Sequence, residues 1–559
     1  MRVDLRYLSG STVTASGGDA VVSFAPNLAR PRVAFDGGLR RPLRYREAMS
    51  ALHEVVVGDL RPTKKDRGAW ESWKVEVARE EQALREFARE RAQSEHLAAL
   101  KEGPPAGLKE AFKRERKSYW KARNAFLRQI HREDPRLYRK LVPLDPVVTV
   151  APDVVFFECF SKDGSSYGSL MVDRDAFTGA QDAECGTTNV DYSLPLYEHF
   201  QKLRTYRSTR LRVDPQGFEV EVAGSDSLRE EKIDLPPSWL RGFGQLQSAM
   251  ALPTATVSLP VEALYSVLAH LKRNRERRGP RCLRFELIPG EVPQLYLDPW
   301  GTRIPCLGAP PWQGDAPETV KVWGRRRLMV LSRLLPMADG VDVHLLGSGL
   351  PHIWVVRMGE LRFVLGLSGW TANSWTAGAN LDLLAGVFKT DAATIAAAAQ
   401  YLSVEHAATL SELMTETGQE RTALVGALHQ LAKQGQIMVD HARGCYRWRQ
   451  VMPVALSAEL MGPENPELTA ARTFLRRGLV HIARREQVSA NQKLVMGSAS
   501  GTRCETLLNS DGQFLRARCT CSHFYKNKLR GGPCRHLLAL KLEADDFLAH
   551  PSRRWRPGV

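Results

Sequence analysis

The stretch Arg518-Cys519-Thr520-Cys521-Ser522-His523-Phe524, followed by Gly531-Gly532-Pro533-Cys534-Arg535-His536, sets the architecture of the C-terminal part of the chain. Its spacing is Cys-x-Cys, twelve residues, then Cys-x-His. Three thiolates and one imidazole are a full ligand set for a tetrahedral zinc with no position left for water, so the spacing implies a structural site. Alternate residues of a strand share a face, and Cys519 and Cys521 are therefore expected to grip one ion from the end of a strand running from Gln513 to Arg518. Gly531-Gly532-Pro533 should bend the chain into a helix that begins with Leu537-Leu538-Ala539-Leu540, whose positive end favours bound thiolates. His523 lies two residues past Cys521; as a loop histidine beside a saturated site it reads as a surface residue rather than an alternative ligand.

This arrangement resembles the SWIM zinc finger, whose pattern is C-x-C, a variable loop and C-x-H on a ββα unit. The resemblance implies Cys519, Cys521, Cys534 and His536 as the four ligands and Zn2+ as the cofactor. It extends upstream through four expected strands, from Leu479 to Ile482, Lys493 to Ser498, Thr502 to Asn509 and Gln513 to Arg518. Residues 466–546 are thus read as a zinc finger domain, and 547–559 as a basic tail.

The full chain has 559 residues, 43% hydrophobic and 25% charged, which is enough for three to five globular domains. No run approaches the eighteen or so uninterrupted apolar residues of a membrane span, and Met1 to Leu8 alternates charge with apolarity, so neither a span nor a signal peptide is expected. Cys159, Cys185, Cys282, Cys306 and Cys445 are scattered without a framework spacing, which suits a reducing, cytoplasmic setting. The net charge of +16 points to an anionic partner.

Residues 1–60 alternate apolar and polar residues between Gly-rich turns and then turn helical, giving a small β-rich N-terminal unit. Residues 61–141 read as two long charged helices in a hairpin interrupted at Gly103-Pro104-Pro105. From Arg61 to Lys140 there are 22 Lys+Arg against 13 Asp+Glu, so this segment carries +9 of the total charge. Its glutamates favour a solvated pair laced with i,i+4 ion pairs over a basic arm with Lys113, Arg114, Arg116, Lys117, Lys121 and Arg123 on phosphates. Residues 146–385 alternate strand signals with a helix from Val261 to Arg275, an α+β region of one or two domains with a seam at Ala309-Pro310-Pro311 to Pro317. Here Asp173, Asp175, Asp182, Glu184 and Cys185 form an acidic loop without defined ligand spacing, which reads as solvated. Trp370 and Trp375 flank a polar turn, more in keeping with packing than with stacking on a base.

Residues 391–450 run helix, helix, helix, hairpin, and resemble a winged helix-turn-helix. The whole is a multidomain α+β chain. No phosphate-binding loop, dinucleotide fingerprint, zinc-protease motif or nucleophile elbow occurs, and no enzyme activity is expected. The function expected is that of a binding module for nucleic acid or protein. Candidate contacts to DNA or RNA are Arg443, Arg447 and Arg449 in the wing and Lys526, Lys528 and Arg530 beside the zinc. The layout, with Phe157-Glu158-Cys159-Phe160-Ser161-Lys162-Asp163-Gly164-Ser165-Ser166-Tyr167-Gly168 upstream of the finger, resembles stand-alone bacterial SWIM proteins. Those are encoded beside MoxR-type AAA+ ATPases and von Willebrand A domain proteins. That implies the alternative, an adaptor for such partners with no direct DNA binding and no membrane association.

Overall fold

The run Val154-Val155-Phe156-Phe157-Glu158-Cys159-Phe160 is too apolar to leave one face in water, and all seven residues are buried. In the computed structural model they form an inner strand of an eight-stranded antiparallel sheet. Its order is Ala255–Leu259, Gly340–Leu345, His352–Met358, Leu361–Leu367, Ser166–Asp173, Val154–Phe160, Val147–Val150 and Gly186–Asn189. The structure describes residues 12–16, 19–24, 33–58, 146–179, 183–189, 203, 208–213, 237–276, 281–370, 373–376, 383–384, 390–451 and 465–549. The expected charged hairpin of residues 61–141, with its lysines and arginines, lies outside them, as do Asp182 and residues 550–559.

Successive strand residues face opposite ways, so a sheet this apolar needs two covers. The helix Pro42–Val57 covers the face of Cys159 and Gly168. Gly168 is required there, because a Cβ would stand 3.1 Å from Leu52 and 3.3 Å from Val55. The helix Pro237–Met250 covers the other face, where Phe160 meets Trp239 and Phe243 at ring-centroid distances of 5.6 and 4.9 Å.

Two smaller sheets flank this body. The hairpin Thr12–Ser16 and Asp19–Phe24 is antiparallel, but Asp19–Phe24 pairs in parallel with Ser208–Val213, which in turn pairs with Phe35–Leu39, whose other edge takes Phe177–Thr178. The N-terminal strands are therefore completed by strands far along the chain. A four-stranded sheet orders Thr302–Pro305, Gln294–Leu297, Leu283–Leu287 and Glu318–Val322. Ala309-Pro310-Pro311 to Pro317 connects two strands of this one sheet rather than separating two bodies.

Helices Ala392–Glu405, Leu410–Thr417 and Arg421–Lys433 enclose Leu402, Leu413, Leu424, Leu428 and Leu431. The middle helix is delimited locally. Thr409 and Glu412 form a reciprocal capping box at its start, and Gly418 takes φ +64° at its end. The hairpin Ile437–Asp440 and Cys445–Trp448 adds the short strand Ala407–Ala408 on its outer side. This hairpin is docked on the body. The Val439 amide donates to Gln247 Oε1 at 2.8 Å, and His441 stacks on His344 at 4.3 Å.

The docking engages the hairpin arginines. Arg447, 1% exposed, bonds Asp153 through both terminal nitrogens at 2.8 Å and Asp440 through Nε at 2.8 Å. Arg443 reaches Asp153 at 2.6 Å and Asp173 at 3.1 Å. Arg449, fully buried, lies 3.5 Å from Glu158 and 4.6 Å above the Phe243 ring. A guanidinium enclosed between aspartates and rings reaches no phosphate, so the nucleic-acid role expected of Arg447 and Arg449 gives way to an internal one. Arg443 keeps part of its surface but faces the same two carboxylates.

Candidate metal centre

The C-terminal unit is a four-stranded antiparallel meander, Val480–Ser489, Gln492–Ala499, Thr502–Asn509 and Phe514–Cys519, covered on one face by the helix Arg535–Ala549. Alternation decides which residues face that helix. Val495, Thr506, Cys504 and Cys519 point inward, whereas Leu507, Glu505, Arg516 and Arg518 share the opposite face. The helix Pro466–Arg476 packs beside Arg535–Ala549; Asn465 caps its start, where Pro466 needs no amide partner.

The four expected ligands converge. One donor atom from each of Cys519, Cys521, Cys534 and His536 lies within 4.8 Å of the others, and Cys519 Sγ is 3.9 Å from His536 Nδ1. Donors on one tetrahedral zinc, at about 2.0–2.3 Å from it, stand about 3.5–3.8 Å apart. The cluster thus fits a metal ion, and its three sulfurs and one nitrogen are the donor set of structural zinc. Among the described residues no other group of three or more such side chains comes together. In particular, Asp173 of the acidic loop is held by Arg362 at 2.7 and 2.8 Å.

The local backbone explains how each ligand is aimed, and corrects one expectation. Cys519 ends its strand, but Cys521 is not on it. Cys521 is the N-cap of the short helix Ser522–Asn527, and its sulfur accepts the Phe524 amide at 3.3 Å. Gly532, at φ +91°, supplies the left-handed turn before Pro533. Cys534 then precedes the helix Arg535–Ala549, with its carbonyl accepting the Leu538 amide at 3.0 Å. His536 falls in that helix's first turn, its ring stacked on Phe474 at 5.6 Å. Two sulfurs therefore sit at helix N-termini, where the backbone partial charge favours thiolate.

Packing three thiols together splits their protonation. The neighbouring Cys534 thiol hydrogen-bonds the Cys519 sulfur and pulls its pKa down to about 4. That same contact, together with burial, pushes Cys534 far up. Such a set cannot ionise throughout unless a cation neutralises it, which is what a bound zinc supplies.

Residues 505–545 match the SWIM zinc finger. No curated protein matches the chain. Among solved structures, the proliferating cellular nuclear antigen of Entamoeba histolytica is similar over 40% of this chain and 89% of that one, at 12% identity and a TM-score of 0.28, a likeness that carries no argument.

Around the SWIM ligands, the structure adds residues that the motif does not include. Cys504 is paired across the sheet with Cys519, is buried, and donates to the His536 carbonyl at 3.7 Å; burial pushes its thiol up to about 12. Glu467, on the preceding helix, accepts the Arg535 amide at 2.8 Å and its guanidinium at 2.6 and 3.1 Å, capping the ligand helix. Only the inward alternation of Cys504 was a signal in the sequence; Glu467 is 68 residues from its partner and gave none. His523 stands outside the ligand cluster.

The remaining basic residues divide. Lys528 lies over the rings of Phe524 and Tyr525, at 5.4 and 5.6 Å, and Tyr525 is 78% exposed. Lys526 is exposed. Arg530 instead bridges to the body: its guanidinium stacks on Trp370 at 4.3 Å and its carbonyl accepts Asn373 Nδ2 at 2.7 Å. Trp370 meets Trp323 edge-on at 4.9 Å, and Trp375 is buried with its indole donating to the Gly366 carbonyl.

Proposed function

We propose that the chain is a non-catalytic interaction protein, in which a zinc-closed SWIM finger fixed to a β-rich body offers a basic face to an acidic protein partner. The observation that carries this reading is the division of the arginines. Arg516 and Arg518 stand exposed on the finger, with no carboxylate among the described residues in ion-pair range, whereas Arg447 and Arg449 are enclosed. Residues 391–450 have the element order of a winged helix. Its third helix, Arg421–Lys433, buries Leu424, Val425, Leu428 and Leu431, and Arg421 is bonded to Asp511 of the finger at 3.0 and 3.1 Å. A helix packed on both sides is poorly placed to enter a major groove, and this favours a protein partner over duplex DNA. An adaptor role toward a MoxR-type AAA+ ATPase and a von Willebrand A domain protein is one form of this reading.

The test is a titration of zinc-loaded full-length protein with double- and single-stranded DNA and RNA. The protein-partner reading expects only weak, salt-sensitive binding, with Kd on the order of 10⁻⁴ to 10⁻⁶ M. Binding near 10⁻⁸ M at physiological salt, the range of specific complexes, would overturn it in favour of a nucleic-acid module.

A further inference from the structure

Between the SWIM finger and the body runs a groove of about 1060 Å³. One wall is the finger sheet face that points away from the ligand helix, and the other is the strand Glu318–Val322 with the turn at Leu346 to Leu350. We propose that this groove takes an extended segment of a partner protein in which carboxylates flank apolar side chains. The proposal rests on the protein-partner reading above and names the site and the chemistry of the segment.

The floor and the rim differ in character. The apolar lining, which makes the floor, comprises Leu494, Leu507 and Leu515 from the finger and Leu346 and Leu350 from the body. Lys321, Arg516, Arg518 and Lys528 stand around it against Glu318 and Glu505, so the rim favours anionic side chains. Lys321, Arg516 and Arg518 are exposed and, among the described residues, in ion-pair range of no carboxylate. Grooves for single-stranded nucleic acid are paved with successive aromatic platforms. Here the lining aromatics are Trp323, turned edge-on against Trp370, and Phe524, which is 4% exposed. Leucines anchor apolar side chains and do not stack bases, so the floor favours a peptide. The volume slightly exceeds the roughly 300–1,000 Å³ of small-molecule sites, as a groove for several residues of chain should.

Among the strands at the groove that end their sheets, Glu318–Val322 and Phe514–Cys519 differ in how their outer edges are bonded. On Glu318–Val322 the edge is closed by the chain itself. Ser348 Oγ accepts the Lys321 amide at 3.0 Å and donates to the Thr319 carbonyl at 3.3 Å, while the Gly349 amide donates to the Lys321 carbonyl at 2.8 Å. Among the described residues, Phe514–Cys519 has ladder bonds to Thr502–Asn509 on one side alone. Its other edge passes Arg516 and Arg518 and ends at the zinc ligand Cys519. A segment added there as a further strand turns every second side chain to the face that carries Leu507, Arg516 and Arg518 together, so apolar and acidic side chains both find partners on that face. The metal holds that edge in place.

Panning zinc-loaded full-length protein against a displayed library of random short peptides tests this, with the double variant Arg516→Glu, Arg518→Glu panned beside it. The wild type should enrich peptides rich in Asp and Glu around Leu, Ile or Phe. A synthetic peptide of the enriched sequence should bind the double variant at least about tenfold more weakly. Leu507→Asp, on the floor, should lower affinity for the same peptide. Zinc content and melting temperature should stay at wild-type values, which separates lost contact from lost fold. No acidic enrichment, or equal affinity for both proteins, overturns the groove assignment; an edge whose arginines serve only to repel other strands gives that result. Displacement of the peptide by an oligothymidine strand that itself binds more tightly assigns the groove to single-stranded nucleic acid and overturns it too. Failure of the groove alone leaves nucleic-acid binding weak, whereas failure of the underlying reading shows as tight nucleic-acid binding, so the two are distinguishable.

Discussion

The SWIM finger and the hairpin of residues 437–448 are both rich in arginine, yet they use it in opposite ways. On the finger, Arg516 and Arg518 alternate on the sheet face opposite the ligand helix and are exposed. In the hairpin, Arg447 alternates just as regularly but points into the body, between Asp153 and Asp440. Strand periodicity tells which residues share a face, not whether that face is in water. What turns a cation from a ligand contact into a structural bolt is a carboxylate on another element, and Asp153 is 294 residues from Arg447. Charge counts along a chain therefore bound the number of anionic partners without locating them.

The strongest way to break the comparison is to remove what holds one region and leave the other. Cys534→Ala should abolish zinc binding and unfold the finger from about Leu479 onward, since closing such a site contributes on the order of 10 kcal/mol. Hydrogen exchange should show loss of protection in residues 480–549 with retention in the eight-stranded sheet. Full zinc content in that variant, by elemental analysis, sinks the assignment.

The hairpin responds to a different deletion. Arg447→Ala leaves Asp153 and Asp440 facing each other without their cation, and breaking a buried pair in this way costs about 3–5 kcal/mol. Burial alone would raise the Asp153 pKa, but the Arg447 hydrogen bonds, with the charges of Arg447 and Arg443, bring it below the ordinary carboxylate value. Denaturant melts should register the loss while zinc content stays unchanged.

Acid should loosen the same dock. Burial pulls the pKa of His441 down to about 3, helped by the adjacent His344, whose own pKa burial also lowers. A folded-state pKa below the unfolded value of about 6.5 means that the unfolded chain binds the proton first. This contribution is therefore fully present above about pH 6.5 and is lost progressively as pH falls toward 3. The slope is at most about 1.4 kcal/mol per pH unit for each proton. The variant His441→Gln should flatten that part of the stability profile; an unchanged slope would contradict the burial of this pair.

How much of this was legible from the chain follows from the range of each cause. The strand Thr502–Asn509 was bounded by sequence signals at its observed ends, because turn residues delimit it locally. The ligands Cys519, Cys521, Cys534 and His536 were legible because metal geometry demands a fixed residue set at short spacing. Cys521 was aimed by a helix cap rather than by the strand, a difference of one local hydrogen bond that spacing does not reveal. The parallel pairing of Asp19–Phe24 with Ser208–Val213, the Glu467 clamp on Arg535 and the Asp153 clamp on Arg447 were not legible. Each depends on residues brought together from far along the chain, and neither propensity nor periodicity carries that information.

The smallest expected effect sharpens the comparison most. Arg516→Ala and Arg518→Ala make the same chemical change as Arg447→Ala, on a strand of the same alternating kind. Both side chains are exposed and have no carboxylate among the described residues in ion-pair range, so truncation removes no desolvated partner. Each should shift stability by no more than about 0.5 kcal/mol, as ordinary surface substitutions do. The readout is a set of melts on the three single variants under one condition, above pH 6.5 so that the histidine pair remains neutral. A loss of several kcal/mol at Arg516 would mean that the finger face is bolted down like the hairpin and that the groove is a packed interface. Near-neutral melts at Arg516 and Arg518, beside a large loss at Arg447, would mark these two arginines on the zinc-held edge as free cations that remain available to a partner.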